Sequence, residues 1–170
     1  MNVPPPEDPL LHLLTSMIMR DGQRAKARRI VSRTLLHIYT FTRAPPLPIL
    51  REAVLLASPA VKTKSQTHGP KVVYTPMALS EKQRTHYGIE WLLEACKGDT
   101  GRPLEVRLAR EMISVVQRSF TAREEKDPSF TGALSKKAIA HKFAMVNRGN
   151  VRVEPGAARA LASANAESAE

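Results

Sequence analysis

The sequence has few cysteines, few aromatic residues and no long hydrophobic run, and each shortage excludes a class of protein. With one cysteine among 170 residues, the chain has no internal disulfide and no multi-cysteine zinc site. No apolar run approaches the roughly 18 residues that a membrane-spanning helix requires. Aromatic residues make up only 5% of the chain, whereas proteins that bind single strands by base stacking usually carry more.

The motifs that carry catalysis or hold cofactors are also missing. The five histidines lie at positions 12, 37, 68, 86 and 141, and no two of them have the i, i+4 spacing of a helical metal pair. The sequence contains no H-E-x-x-H, no G-x-S-x-G and no phosphate-binding glycine-rich loop. We therefore expect a protein that is not an enzyme and has no bound cofactor or metal.

Acidic residues are few relative to basic ones. Lys and Arg number 26 against 16 Asp and Glu, which gives a formal net charge of +10. An excess of this size in a short chain indicates a polyanionic partner, either nucleic acid or an acidic membrane surface. Hydrophobic residues make up 42% of the chain, which is near the globular norm and sufficient for one folded domain.

The pattern of apolar residues predicts a mainly α-helical domain with one β-hairpin. Asp8-Pro9 is a helix start, because Asp accepts from free N–H groups and Pro fits the first helical position. After this first helix, further helices are expected near residues 23–41, 49–57, 80–95, 104–120 and 135–147. The stretches 61–67 and 71–77 lack a helical stripe and flank His68-Gly69-Pro70, a turn signal, so they predict the hairpin.

We expect one domain of about six helices over residues 9–154, from which the hairpin near 61–77 protrudes. Residues 1–8 are Pro-rich and predicted to be extended, with no targeting peptide visible. Residues 155–170, rich in Ala, Ser and Glu, are predicted to be a disordered tail.

Within the predicted helices, some residues are expected in the core. Cys96 and Trp91 are interpreted as packing residues rather than as a nucleophile or a base-stacking platform. In the last helix the apolar stripe of Ile139, Phe143 and Val146 is expected to face inward. Its basic face is then expected to point outward.

Basic residues fall on several separate faces of the predicted helices. On the second helix Lys26, Arg29 and Arg33 lie opposite the apolar stripe, with Arg24 and Arg28 at its edge and no acidic neighbour on that face. A helix that is only kept soluble would mix both signs. The same bias recurs in three further sets, namely Lys62, Lys64 and Lys71; Arg107, Arg110 and Arg118; and Lys136, Lys137, Lys142 and Arg148.

Several basic faces on one small domain favour a protein surrounded by nucleic acid. A membrane surface would account for one face only and would call for Trp or Phe beside the charges, so no membrane partner is expected. Arg outnumbers Lys in these sets, and Arg binds phosphate bidentately and stacks on bases, which suits structured RNA. The alternative is a free-standing regulator that binds DNA or messenger RNA through one docking surface, often doubled by a dimer.

Short motifs along the chain carry a resemblance to a known family. They are Ile18-Met19-Arg20-Asp21-Gly22-Gln23-Arg24, the hairpin end Tyr74-Thr75-Pro76, the stretch 88–95, Arg107-Leu108-Ala109-Arg110-Glu111, Lys136-Lys137, His141-Lys142 and Asn147-Arg148. In this order and at this spacing, they resemble the small-subunit ribosomal protein seven family over residues 10–151.

The resemblance implies a six-helix fold with a protruding hairpin that binds the 3′ major domain of the small-subunit ribosomal RNA and organises the head. It implies a position near the exit-site transfer RNA and the messenger exit path, with neighbouring head proteins as further partners. By position, Arg20, Gln23 and Arg24 fall in the first RNA-contacting loop, and His141 joins the last-helix set. The complete set of predicted RNA-binding residues is Arg20, Gln23, Arg24, Lys26, Arg28, Arg29, Arg33, Lys62, Lys64, Lys71, Arg107, Arg110, Arg118, Lys136, Lys137, His141, Lys142 and Arg148.

The chain departs from the bacterial members of that family at the hairpin tip and at the end of the last helix. The hairpin tip reads Gln66-Thr67-His68-Gly69-Pro70, where bacterial members carry an Arg pair and a Gly pair, so the charge at the tip is weaker. The ending at 147–151 differs from the aromatic-rich bacterial ending and looks like a fungal mitochondrial version. The resemblance therefore implies the mitochondrial matrix, with a bacterial cytoplasm or a plastid as alternatives.

Overall fold

The computed structural model of the chain describes residues 8–97, 101–121 and 132–151. Within them lie six α-helices, a two-stranded antiparallel sheet and one 3-10 turn. In chain order the elements are α1 (Pro9–Ile18), α2 (Arg24–Thr42), α3 (Pro46–Ala57), β1 (Val61–His68), β2 (Lys71–Ala78), α4 (Glu81–Ala95), α5 (Leu104–Thr121), α6 (Ala133–Val146) and the 3-10 turn (Arg148–Asn150). The predicted mainly α-helical fold with one hairpin is confirmed. Residues 1–7 and the predicted tail 155–170 lie outside the described residues.

Helix starts follow the local signals in the sequence. The carboxylate of Asp8 accepts from the backbone N–H of Leu10 at 3.0 Å, which caps α1. At the start of α4, Ser80 and Gln83 form the capping box, in which the Ser80 N–H donates to Gln83 Oε1 at 3.1 Å. None of the helices in the described ranges is long and apolar enough to cross a membrane.

The start of α3 differs from the sequence-based expectation. The helix begins at Pro46, three residues before the expected start near residue 49. Pro46 and Pro48 both fit, because N–H groups in the first helical turn have no intrahelical acceptor, so proline loses nothing there. The predicted start of this helix near residue 49 was therefore three residues too late.

The core forms where α3 packs against α4 and α5. The largest buried set comes from α3 and α5, and its members are Leu50, Ala53, Val54, Ala57, Leu108, Ala109, Met112 and Val115. Cys96 is buried in the same cluster, as expected of a packing residue. Trp91 is partly buried and packs against the core from its edge, with the Tyr87 ring 6.3 Å away.

Helix α6 is turned the opposite way from the prediction. Ile139, Phe143 and Val146, expected in the core, are 64%, 43% and 78% exposed. The buried residues of α6 are instead Ala133, Leu134 and Ala144. The reason is tertiary: polar side chains on the inner side of α6 form hydrogen bonds with the end of α3 and the base of the hairpin, as described below.

The hairpin is a regular two-stranded ladder attached to α6 at its base. Its register runs from Val61 opposite Ala78 to His68 opposite Lys71. The two-residue turn between the strands has Gly69 at φ +59°, a conformation that hairpin turns of this length require and that glycine adopts without strain. On β2, the Tyr74 ring makes an edge contact with Phe143 at 5.1 Å, and its carbonyl accepts from Asn150 Nδ2 at 2.9 Å.

The contact between α3 and α4 is tight enough to test by one substitution. A Cβ atom on Gly88 would lie 2.8 Å from the Val54 carbonyl oxygen and 3.3 Å from Ser58 Cβ. We expect Gly88→Ala to lower the free energy of unfolding by about 1–3 kcal/mol through overpacking, although alanine is the better helix former. Urea unfolding measures this. Gly149→Ala, where a Cβ meets open space, is the matched control, and equal stability of both variants would contradict the prediction.

Candidate nucleic-acid interface

A cleft of about 630 Å³ lies where the α1–α2 loop meets the end of α4 and the start of α5. We call it the loop cleft, and its polar lining residues are Arg20, Gln23, Lys26, Glu90, Glu94, Lys97 and Arg107. Four of these side chains are basic and two are acidic, so the cleft is positive overall. Folding thus brings predicted RNA-binding residues from the loop, α2 and α5 to one open surface.

The conformation of the α1–α2 loop places its side chains at the cleft. Asp21 and Gly22 have consecutive positive φ angles of 50° and 70°, a sharp turn that Asp and Gly tolerate. The turn is closed by backbone hydrogen bonds from Gln23 to Arg20 at 2.9 Å and from Arg24 to Gly22 at 2.8 Å. The N-terminus of α2, whose dipole favours anions, therefore opens beside Gln23.

Arg107 has a structural role in addition to its place in the cleft. Its guanidinium donates to the carbonyl oxygen of Cys96, at the end of α4, at 2.7 Å. A cation at the C-terminal end of a helix is favourable because the last carbonyls there lack partners. Lys97, one residue further, was not among the predicted RNA-binding residues. Its only signal in the sequence is its place in the Lys97-Gly98 helix end.

The basic face of α2 is exposed along its first half. Lys26, Arg28 and Arg29 all lie in solvent. Arg33 is exposed too, but its guanidinium pairs with Glu105 of α5 at 3.3 Å. Within α2 this face has no acidic residue, as expected, and the carboxylate that pairs with Arg33 comes from another helix. A half-exposed pair of this kind contributes little to stability.

The hairpin carries its three lysines on one face. In the observed register, Lys62 and Lys64 share one side of the ladder, and Lys71 of β2 stands on that same side. At the hairpin base, Lys62 donates to the Tyr87 hydroxyl and lies 4.9 Å from the centre of that ring. Each strand has eight residues, so the ladder reaches roughly 25 Å from base to tip.

The predicted residues of α6 divide into inner and outer groups. Lys137 is half-buried, and its ammonium group donates to the Leu56 carbonyl at the end of α3 at 2.9 Å. Burial, and then the charge of Arg84, lower the pKa of Lys137. Lys136 forms an ion pair with Glu94. Lys142 and Arg148 are exposed.

His141 holds the base of the hairpin. The backbone N–H of Ala60, next to β1, donates to His141 Nε2 at 3.0 Å, so this nitrogen acts as an acceptor and the ring is neutral. Burial lowers the pKa of His141 first, and the nearby charges of Lys137 and Arg84 lower it further. His141 is therefore a structural link between α6 and the hairpin.

The remaining α5 residues lie apart from the loop cleft. Arg110 is exposed, with its guanidinium 5.9 Å from the centre of the Phe41 ring on α2. Arg118 is partly buried. In the described part of the chain, no group of three or more His, Cys, Asp or Glu side chains has an arrangement that holds a metal ion.

Comparison with known proteins identifies the family. The model of the family "Ribosomal protein S7p/S5e" matches residues 3–148. The chain belongs to this family. The predicted resemblance is thus confirmed, and so is the prediction of a ribosomal protein rather than an enzyme.

Individual relatives of this S7-family chain come from several compartments. The fission yeast (Schizosaccharomyces pombe) small ribosomal subunit protein uS7m is 32% identical over 146 residues, which cover 86% of this chain and 52% of that protein. The uS7c protein of Prototheca wickerhamii is 29% identical over 77% of this chain and 84% of its own length. The uS7 protein of Thermotoga petrophila is 30% identical over 79% and 86%, respectively. The chain thus spans about half the length of the fission yeast relative.

The environment of His141 predicts that the S7-family chain loses stability in mild acid. The folded pKa lies below the unfolded value of about 6.5. As the pH falls through 6.5 towards the folded pKa, the unfolded chain binds a proton first, so the stabilisation present at neutral pH is lost. His141→Gln keeps an acceptor without titrating, and we expect its free energy of unfolding to fall less over this range.

Urea unfolding at neutral and mildly acidic pH measures the difference. His12→Gln is the control, because His12 is exposed on α1. An identical acid loss in the wild type and in His141→Gln would show that His141 does not titrate in this way.

Proposed function

We propose that this S7-family protein is a structural constituent of the small ribosomal subunit that binds the 3′ major domain of the small-subunit ribosomal RNA and organises the head. The observation that carries the proposal is the loop cleft. In it, basic residues from the α1–α2 loop, α2, the segment just after α4, and α5 meet on one open surface. This is a surface for a polyanion, and family membership indicates that the polyanion is ribosomal RNA.

The mechanism that fits this surface is scaffolding. Exposed side chains such as Lys26 and Arg29 neutralise phosphates where RNA helices converge, and counterions are released as they bind. Arg20 and the N-terminus of α2 add donors for the same backbone. Since phosphate contacts supply affinity and orientation rather than sequence readout, the RNA is recognised mainly by its shape.

The hairpin supports the finer part of the proposal, a position near the exit-site transfer RNA and the messenger exit path. Lys64 and Lys71 are exposed on the lysine-bearing face, away from the helical body. His141 fixes the base and Asn150 binds the middle of β2, so the hairpin is held in its direction at two points. Neighbouring head proteins are further proposed partners, and no membrane is involved.

For location we propose the mitochondrial matrix. The support is the ending at 147–151 and the similarity to the fission yeast protein named uS7m, whose suffix marks the mitochondrial form. Relatives from a plastid and from a bacterium leave those two compartments as the alternatives.

The salt dependence of RNA binding tests the phosphate contacts on α2. We expect Lys26→Ala/Arg29→Ala to weaken binding to a fragment of the 3′ domain and to reduce the slope of log K against log salt by about one unit per contact removed. Arg33→Ala should have a smaller effect, because Glu105 already shares its charge. Lys82→Ala is the control, since Lys82 is exposed on α4 outside the predicted set. An unchanged slope in the double variant would remove this face from the interface.

Ultraviolet crosslinking in cells, followed by sequencing of the attached RNA, tests the assignment itself. We expect reads concentrated in the 3′ domain of one small-subunit ribosomal RNA, and the genome that encodes this RNA identifies the compartment. Reads scattered over messengers would contradict the proposal and would favour the free-standing regulator.

A further inference from the structure

The outer surface of α2 changes character along its length. Its first half is basic, as described above. Its second half exposes large apolar and aromatic side chains, with Leu36, Tyr39 and Phe41 at 59%, 48% and 50%. Phosphate neutralisation does not account for exposed rings, and these side chains do not belong to the core.

Three flat groups lie next to one another at the edge between α2 and α5. The His37 and Phe41 rings, one helical turn apart, lie with their centres 6.0 Å apart and their planes at 22°. From α5, the Arg110 guanidinium lies 5.9 Å from the centre of the Phe41 ring. We call these three side chains the Phe41 stack.

Arg110 is the cationic member of this stack. Arg110 is exposed, and none of the ion pairs among the described residues involves it. A guanidinium that rests against an aromatic ring loses rotamer freedom while keeping its planar surface and its charge. Arginine planes and aromatic rings are both surfaces on which unpaired RNA bases stack.

We propose that the Phe41 stack binds an unpaired nucleobase of RNA. The inference rests on the proposed function for its ligand, but it assigns a contact separate from the phosphate contacts of the loop cleft. Arg33 lies about two turns before Phe41, roughly 12 Å along the axis of α2, and both side chains lie beside α5, so Arg33 is within reach of the backbone of the same RNA segment.

The charges around the stack favour RNA over an apolar protein partner. The Arg110 guanidinium lies beside the exposed Phe41 ring, and the exposed Arg43 follows that ring two residues later, so a protein that covered Phe41 would have to cover cations too. The low aromatic content of the chain agrees with one base site, since a row of stacking platforms needs many rings.

Binding of two RNA probes to the full chain tests the proposal. One probe is a stem-loop with a fluorescent adenine analogue at an unpaired loop position, and the other is a fully paired duplex of the same stem. We expect Phe41→Leu, which keeps apolar volume but removes the ring, to weaken stem-loop binding about five- to thirty-fold and to abolish the quenching of the analogue. Duplex binding should stay the same. Phe41→Tyr should restore both stem-loop signals.

Leu36→Ala is the matched control, because it removes an exposed apolar side chain from the same helix but no ring. If Phe41→Leu keeps wild-type affinity and quenching, the base site is overturned. If Phe41→Ala then loses binding while Phe41→Leu keeps it, the contact at this position is apolar and does not involve base stacking. If the wild type binds neither probe, the proposed function fails as well. If it binds the duplex but Phe41→Leu leaves stem-loop binding unchanged, only the base site fails.

Discussion

The C-terminal end of α3 is the constraint on which the rest of the structure depends. Three elements attach there: α4 through the close approach of Gly88 to the Val54 carbonyl, α6 through Lys137 on the Leu56 carbonyl, and the hairpin through Ala60 and His141. α3 has no basic residue in its own last turn, so α6 supplies the cation that its unpaired carbonyls favour. Because α6 binds both the end of α3 through Lys137 and the base of the hairpin through His141, the position of α6 on α3 sets the direction of the hairpin.

The basic residues therefore serve two different purposes. Arg107 and Lys137 donate to helix-terminal carbonyls, at Cys96 and Leu56, and stabilise the fold from partly buried positions. Others, such as Lys26 and Arg29, are exposed and have no such partner among the described residues, so their mutual repulsion opposes folding at low salt. An RNA that neutralises the exposed group stabilises the folded chain by binding it. RNA binding therefore shifts the folding equilibrium towards the folded state.

Local signals predicted most of the fold, and tertiary contacts explain what they missed. The cap at Asp8 and the turn at Gly69 act within a few residues, so the sequence alone locates these elements. The facing of α6 does not follow from periodicity, because its apolar stripe competes with hydrogen bonds that Lys137 and His141 form only after α3 and the hairpin are in place. In the candidate site, exposure of the α2 face was predictable. The Arg33–Glu105 pair, which joins residues 72 positions apart, was not.

The two kinds of contact proposed for the RNA differ in what they specify. Phosphate contacts in the loop cleft and on the hairpin hold a polyanion strongly but tolerate a shift along its backbone. A base held on the Phe41 stack would fix the register, that is, the position of the protein along the RNA, because only an unpaired nucleotide presents a free ring face. The phosphate contacts weaken with salt through counterion release, whereas stacking does not depend on it. As the salt concentration rises, a growing share of the remaining affinity therefore comes from the single contact that fixes the register.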